Sequence, residues 1–316
     1  MEISMKNGFE TLLDVFDAII VDNLITKREI ADKLGLSATG VSKAAGELIS
    51  AGLISTCGAV PSKGRSAEAL SPTYSKKYAI VNLCEKPFTY SIAYLGEGMA
   101  ANGRSYMTVK SVPYIRDLDF GENVARLANR LANLGEGIST AAIALPSPDD
   151  LPEDYLGDDI PSLFARRSIT PLVIGSRIDA LYASSTIKGA PLPSLYISVG
   201  RGVRGVYLGK TALQLNWDGV NIDGLLLSEI IRCASSPSRL ADRLEKLIVS
   251  ASELLGTKSV MLDATYISAE TVEILLARLP FLKDVTFNSP VHEGLSRLLA
   301  IELIKILPSV HERKKP

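Results

Sequence analysis

Residues 25–54, ITKREIADKLGLSATGVSKAAGELISAGLI, decide how the chain folds at its N-terminal end. Thr26 precedes Glu29 by three residues, the spacing of a capping box, and Ile25 with Ile30 has the spacing of a hydrophobic staple. Ile30, Ala31 and Leu34 share one inward face, and Gly35 stops the helix. Ser37 caps a second helix with inner face Val41, Ala45 and Leu48, which ends at Gly52. Two short helices joined by a glycine-containing turn form the helix-turn-helix layout, whose second helix sends its early residues into a DNA major groove. Those residues here are Ala38, Thr39, Ser42 and Lys43, all small, polar or basic, so the helix backbone can approach phosphates and base edges.

Phe9, Leu12, Leu13, Phe16, Ile19 and Ile20 recur at helical spacing and predict an amphipathic helix before the pair. After it, Leu53–Thr56 and Glu68–Leu70 read as strands around a segment with Pro61, Lys63, Gly64 and Arg65. That hairpin is the expected wing, its Lys63 and Arg65 reaching a phosphate or the minor groove. The expected DNA-binding set is Thr26, Lys27, Ser37, Ala38, Thr39, Ser42, Lys43, Lys63 and Arg65, in a domain of residues 1–75. Charge argues for a local patch: residues 1–75 hold seven Lys/Arg against nine Asp/Glu, and the net charge of the whole chain is −1. Three small helices and a hairpin also suit a protein-interaction module, which the residues alone leave open.

The string from Ile25 to Ile54, followed by GAVPSKGRS at Gly58–Ser66, resembles the N-terminal domain of ROK-family repressors (repressors, open reading frames and kinases). Leu34, Gly35, Leu36, Ser37, Val41, Ser42, Leu48, Gly52 and Leu53 fall on that family's pattern, as do Gly64 and Arg65. The family usually carries Pro-Thr where this chain has Thr39 and Gly40. A glycine inside a helix costs about 1 kcal/mol, and Gly46 adds a second.

Downstream, the pattern alternates strands with helices. Tyr78–Leu83 and Thr89–Leu95 read as a strand pair, Val124–Leu134 as a helix and Ala141–Leu145 as a buried strand. Leu195–Val199 and Val203–Leu208 read as a hairpin, Leu240–Leu255 as a long amphipathic helix, and Leu295–Leu307 as a closing apolar helix. This order is similar to the kinase-like body of the ROK family, a two-lobed fold of the sugar-kinase, Hsp70 and actin (ribonuclease H-like) class. The fold expectation is therefore α/β: a winged helix-turn-helix, then an effector and dimerisation body over 76–316. Its small lobe takes about 76–180 plus the C-terminal helix, and its large lobe about 181–290.

The resemblance also implies an inactive kinase. Where the family has aspartate, two glycines and threonine for phosphate, this chain has Asn82-Leu83-Cys84-Glu85-Lys86. Arg177 stands where the family has its catalytic aspartate, and arginine is no base at neutral pH. Arg201 and Arg204 interrupt the second phosphate hairpin of Gly200, Gly202 and Gly205, and Leu262-Asp263-Ala264-Thr265 lacks the adenosine-loop glycines. The family's zinc-binding histidine and cysteines are missing: the chain has two histidines, His292 and His311, and three scattered cysteines, Cys57, Cys84 and Cys233. No catalytic residue, metal or cofactor is expected.

Ser147, Ser176, Arg177, Asp179 and Arg201 are the residues this resemblance sets near the ligand cleft, where the two arginines suit a sugar-derived or anionic effector. For each, a solvated surface charge or a salt bridge is an equal explanation. A homodimer on a double-stranded operator is the expected assembly, because one winged helix contacts few bases. No apolar run approaches bilayer length and cysteine use is sparse, so the expectation is a cytoplasmic protein without membrane contact. An active sugar kinase and a non-catalytic scaffold are the competing classes.

Overall fold

The computed structural model describes residues 8–60, 67–84, 86–95, 107–146, 159–187, 193–199, 203–209, 212–214, 236–257, 259–264, 267–286 and 291–307. They divide into two compact units, one of Met1–Ala183 with Val291–Pro316, the other Ser184–Pro290.

The first unit begins with helices α1 (Gly8–Asp22), α2 (Lys27–Leu34) and α3 (Ala38–Ser50), and a three-stranded sheet of β1 (Ile25–Thr26), β2 (Ile54–Val60) and β3 (Ala67–Pro72). The strand order is β1-β3-β2, all antiparallel. Phe16, Ile19, Ile30, Val41, Ala45, Leu48 and Leu70 are buried with almost no solvent contact, so the inward faces expected from helical spacing form one core. The two-residue β1 is too short to show as a strand in the sequence pattern. Ile25 pairs with Leu70 across it, so the residue that staples α2 also anchors the wing hairpin.

The rest of this unit is a five-stranded sheet of β4 (Lys77–Asn82), β5 (Phe88–Tyr94), β6 (Lys110–Val112), β7 (Thr140–Leu145) and β8 (Thr170–Ser176), with helices α4 (Phe120–Ala132) and α5 (Ile160–Ala165) and the part of α6 (Arg177–Ile187) up to Ala183. Its order is β6-β5-β4-β7-β8, the first three antiparallel and the last two parallel to β4. Ala79, Val81, Phe88, Tyr90 and Ile143 point to one face, where they pack with Val124 and Leu127 of α4 and Phe164 of α5. The pleat turns the alternate residues to the opposite face.

The second unit is another five-stranded sheet: β9 (Ser194–Val199), β10 (Val203–Leu208), β11 (Ala212–Gln214), β12 (Ser259–Asp263) and β13 (Leu282–Thr286), in the order β11-β10-β9-β12-β13. It carries α7 (Pro237–Leu255) and α8 (Ala269–Arg278), packed on each other and on Leu195, Ile197, Val260 and Leu262. Both units thus repeat one topology: an antiparallel three-strand meander whose first strand is central, then two parallel strands beyond it. Each sheet has the strand order of the ribonuclease H-like fold.

The last described helix, α9 (Val291–Lys305), returns to the first unit. It packs on β4, β7 and β8 and also touches α1 of the winged helix. His292 sits between two hydroxyls of β5, with Nε2 3.0 Å from Thr89 Oγ1 and Nδ1 3.1 Å from Ser91 Oγ. A Cβ built on Gly294 would lie 1.7 Å from the carbonyl oxygen of Ala180, so α9 touches the α6 backbone directly. Arg297 is 5% exposed and makes a two-pronged ion pair with Asp17 of α1. No described helix is long and apolar enough to cross a membrane.

Candidate nucleic-acid interface

The local signals in 25–54 are realised atom by atom. The Thr26 hydroxyl accepts the Glu29 backbone N–H at 3.3 Å, while the Glu29 carboxylate accepts the Thr26 backbone N–H and hydroxyl, each at 2.8 Å. The Thr26 backbone bond, then its hydroxyl bond, holds the Glu29 carboxyl below its ordinary range. Gly35 takes the left-handed conformation, φ 63°, that ends α2. Ser37 Oγ accepts the Gly40 N–H at 3.1 Å and starts α3. Lys33 pairs with Asp22 at 2.8 Å and ties α2 to α1.

These caps fix which residues α3 turns outward. Val41, Ala44, Ala45 and Leu48 are buried, while Ser37, Ala38, Thr39, Ser42, Lys43 and Gly46 are exposed. Positions 38, 42 and 46, with 39 and 43 beside them, lie on one helical face. The helix runs unbroken through Gly40 and Gly46.

Of the residues expected at DNA, Ala38, Thr39, Ser42 and Lys43 are brought together on this face. Lys27, half-buried, stands at the start of α2, beside exposed Arg28, which the sequence reading passes over. Thr26 is 7% exposed and its hydroxyl is committed to Glu29, so it belongs to the cap and not to the exposed face. Ser37 is exposed, with its oxygen turned to the Gly40 N–H. Lys63 and Arg65 lie outside the described residues.

In the body, Ser176 and Asp179 satisfy each other. The Ser176 N–H and hydroxyl donate to Asp179 Oδ2 at 2.9 and 2.7 Å, and the Asp179 N–H donates back to Ser176 Oγ at 3.2 Å. This is the start signal of α6, whose first residue is the half-buried Arg177. Ser147 and Arg201 lie outside the described residues. Where the resemblance set a phosphate loop, Asn82 is buried and its Oδ1 accepts the Cys84 N–H at 3.0 Å. The Cys84 thiol donates to the Leu145 carbonyl at 3.1 Å, and the Leu83 N–H donates to the Ala144 carbonyl at 2.9 Å. The turn is thus tied to β7 by groups that a phosphate-binding loop keeps free. Among the described residues no group of three or more His, Cys, Asp or Glu could hold a metal.

Residues 9–55 match the family of winged helix-turn-helix DNA-binding domains. Among solved structures, the chain is similar to a ROK-family transcriptional regulator described as a homolog of the E. coli MLC protein, at 14% identity and TM-score 0.61. That likeness covers 94% of this chain and 99% of the regulator. An inorganic polyphosphate/ATP-glucomannokinase from Arthrobacter sp. strain KM is similar over 72% of this chain and all of its own, at 15% identity and TM-score 0.53. No curated protein matches the sequence. The class is therefore defined by two parts: a winged helix-turn-helix domain of the DNA-binding kind, carried on the sugar-kinase-like fold of the ROK proteins.

Proposed function

We propose that this protein is a sequence-specific DNA-binding transcription regulator, acting as a repressor, whose kinase-like body no longer transfers phosphate. The observation that carries the reading is α3: a helix capped at its start, buried on one side, and presenting Ala38, Thr39, Ser42 and Lys43 outward from a domain of the DNA-binding kind. The winged helix of residues 1–75 reads the operator, and the body of 76–316 dimerises it, so that two copies meet two half-sites. The proposed contacts are Lys27, Ser37, Ala38, Thr39, Ser42 and Lys43, with Lys63 and Arg65 from the wing. The loss of catalysis is supported by the self-satisfied turn at Asn82–Cys84 and by Arg177 in place of a carboxylate. A sugar-derived or anionic small molecule is the proposed effector, with Arg177, at the start of α6, and Arg201 as its candidate contacts.

The test is retention of genomic DNA fragments by the purified full chain at two salt concentrations, beside the Lys43→Glu variant. A shared palindromic site, steep loss of binding with salt and a loss of about 100-fold or more in Lys43→Glu are expected. Weak retention equal in both proteins would overturn the reading in favour of a scaffold. Phosphate transfer from ATP to a hexose or amino sugar would overturn the inactive-kinase part alone.

A further inference from the structure

Glycine in these elements has a reason at most positions. Gly35, Gly52 and Gly256 adopt positive φ, and Gly294 meets the backbone of another helix. Gly40 has a near neighbour in its own cap, since a Cβ there would lie 3.1 Å from Ser37 Oγ. Gly46 has neither reason. Its backbone is regular α-helix, it is exposed, and none of the described residues stands within 4 Å of where a Cβ would be. A glycine there weakens α3 relative to alanine, with nothing among the described residues to require it. The Gly46 carbonyl also accepts the Ser50 hydroxyl at 2.8 Å, a bond of the kind that bends helices.

Gly46 lies eight residues beyond Ala38 on the same face, about 12 Å along the axis at ~1.5 Å per residue. A major groove is also about 12 Å across. When the first turn of α3 sits at the base edges, Gly46 is carried to the groove rim, where the sugar–phosphate strand passes. Its N–H lies within the helix ladder, so glycine contributes clearance there and no donor.

We infer that Gly46 is the point of closest approach between α3 and the sugar–phosphate backbone of bound duplex DNA, and that it sets how deeply the helix enters the groove. The inference rests on the DNA-binding reading above. It implies that short side chains such as Ala38, Thr39 and Ser42 reach the bases because the helix axis itself sits deep.

The experiment measures binding of full-length wild type, Gly46→Ala, Gly46→Leu and Lys43→Glu to the duplex that wild type selects from a random-sequence library, with thermal unfolding of each. Alanine and leucine have similar helix propensities, so stiffening alone would affect both alike, whereas lost clearance grows with size. Expected are unfolding temperatures at or above wild type, with affinity lower by about 10-fold for Gly46→Ala and about 100-fold for Gly46→Leu. Equal losses in the two variants, or wild-type binding in both, would overturn the inference. If Gly46→Leu lowers the unfolding temperature, Gly46→Ala alone decides, a loss of affinity with raised stability supporting the inference. A Lys43→Glu variant that binds as wild type, or a wild type that selects no duplex, removes the DNA-binding reading itself. Loss in Lys43→Glu with full binding by Gly46→Leu leaves that reading intact and removes only the role of Gly46.

Discussion

Helices α3 and α9 each carry a glycine on the face that matters, and the two glycines stand in opposite surroundings. Gly294 is pressed against the Ala180 carbonyl, with no room for one more carbon. Gly46 faces open space. On α9 nearly every side is used: His292 meets β5, Gly294 meets α6 and Arg297 meets α1. On α3 only the inner side is used. A close approach already made inside the fold and one reserved for a partner leave the same residue in the sequence and opposite signs in stability.

Three substitutions test the α9 side of that contrast. Gly294→Ala brings a methyl into a backbone that cannot give way, and a loss of ~4 kcal/mol or more is expected, read by urea unfolding. Stability near wild type would mean that α9 can slide on α6, and would erase the difference from Gly46.

His292 supplies the next largest effect, through pH. Burial depresses its pKa from 6.5 to about 4, so the fold favours the neutral ring. Its contribution is then complete above pH 6.5 and is lost as pH falls toward 4, on the order of 3 kcal/mol in all. Asp17 works the other way: burial, outweighing the pull of Arg297, raises its carboxyl to about 6. Asp17 therefore adds stability as pH falls from about 6 to 3.8. Comparing urea midpoints of wild type and His292→Gln at each pH separates the two. Wild type should lose ground to the variant between pH 6.5 and 4, and a constant gap would show that the ring is not held neutral.

The smallest effect is expected at the link between α9 and the winged helix. Arg297→Leu leaves Asp17 without its partner, but a third of the Asp17 side chain remains in solvent. A cost of ~1–2 kcal/mol follows, below that of a fully buried pair. A double-mutant cycle with Asp17→Asn isolates the pair, and zero coupling would detach α9 from α1 energetically.

What was legible in the sequence was what lies within a few residues. Thr26 with Glu29, Ser37 before Val41 and the stop at Gly35 are decided by neighbours three or four places away, and each stands as read. The strand β8 did not announce itself, because Pro171 lacks an N–H and the pairing shifts beside it, Ala141 facing Pro171 and Ala142 facing Val173. Gly294 and His292 were unreadable for another reason. Their partners, Ala180, Thr89 and Ser91, are brought to them only by the fold. At the candidate interface, spacing gave the face of α3, but it also enrolled Thr26 at the DNA, and the resemblance enrolled Ser176 and Asp179 at a ligand. In the structure those side chains satisfy their own helix starts, a use that polar residues at such positions commonly have.

The bond between Arg297 and Asp17 spans 280 residues of chain, and the whole second unit is threaded between them. A ribosome adding about 5–20 residues per second makes Asp17 roughly 15–55 s before it makes Arg297. Through that interval α1 waits without its anchor, and the β4–β7–β8 face that α9 covers stands bare. The winged helix can form early from its own local signals, whereas the Arg297–Asp17 bond has to wait for α9.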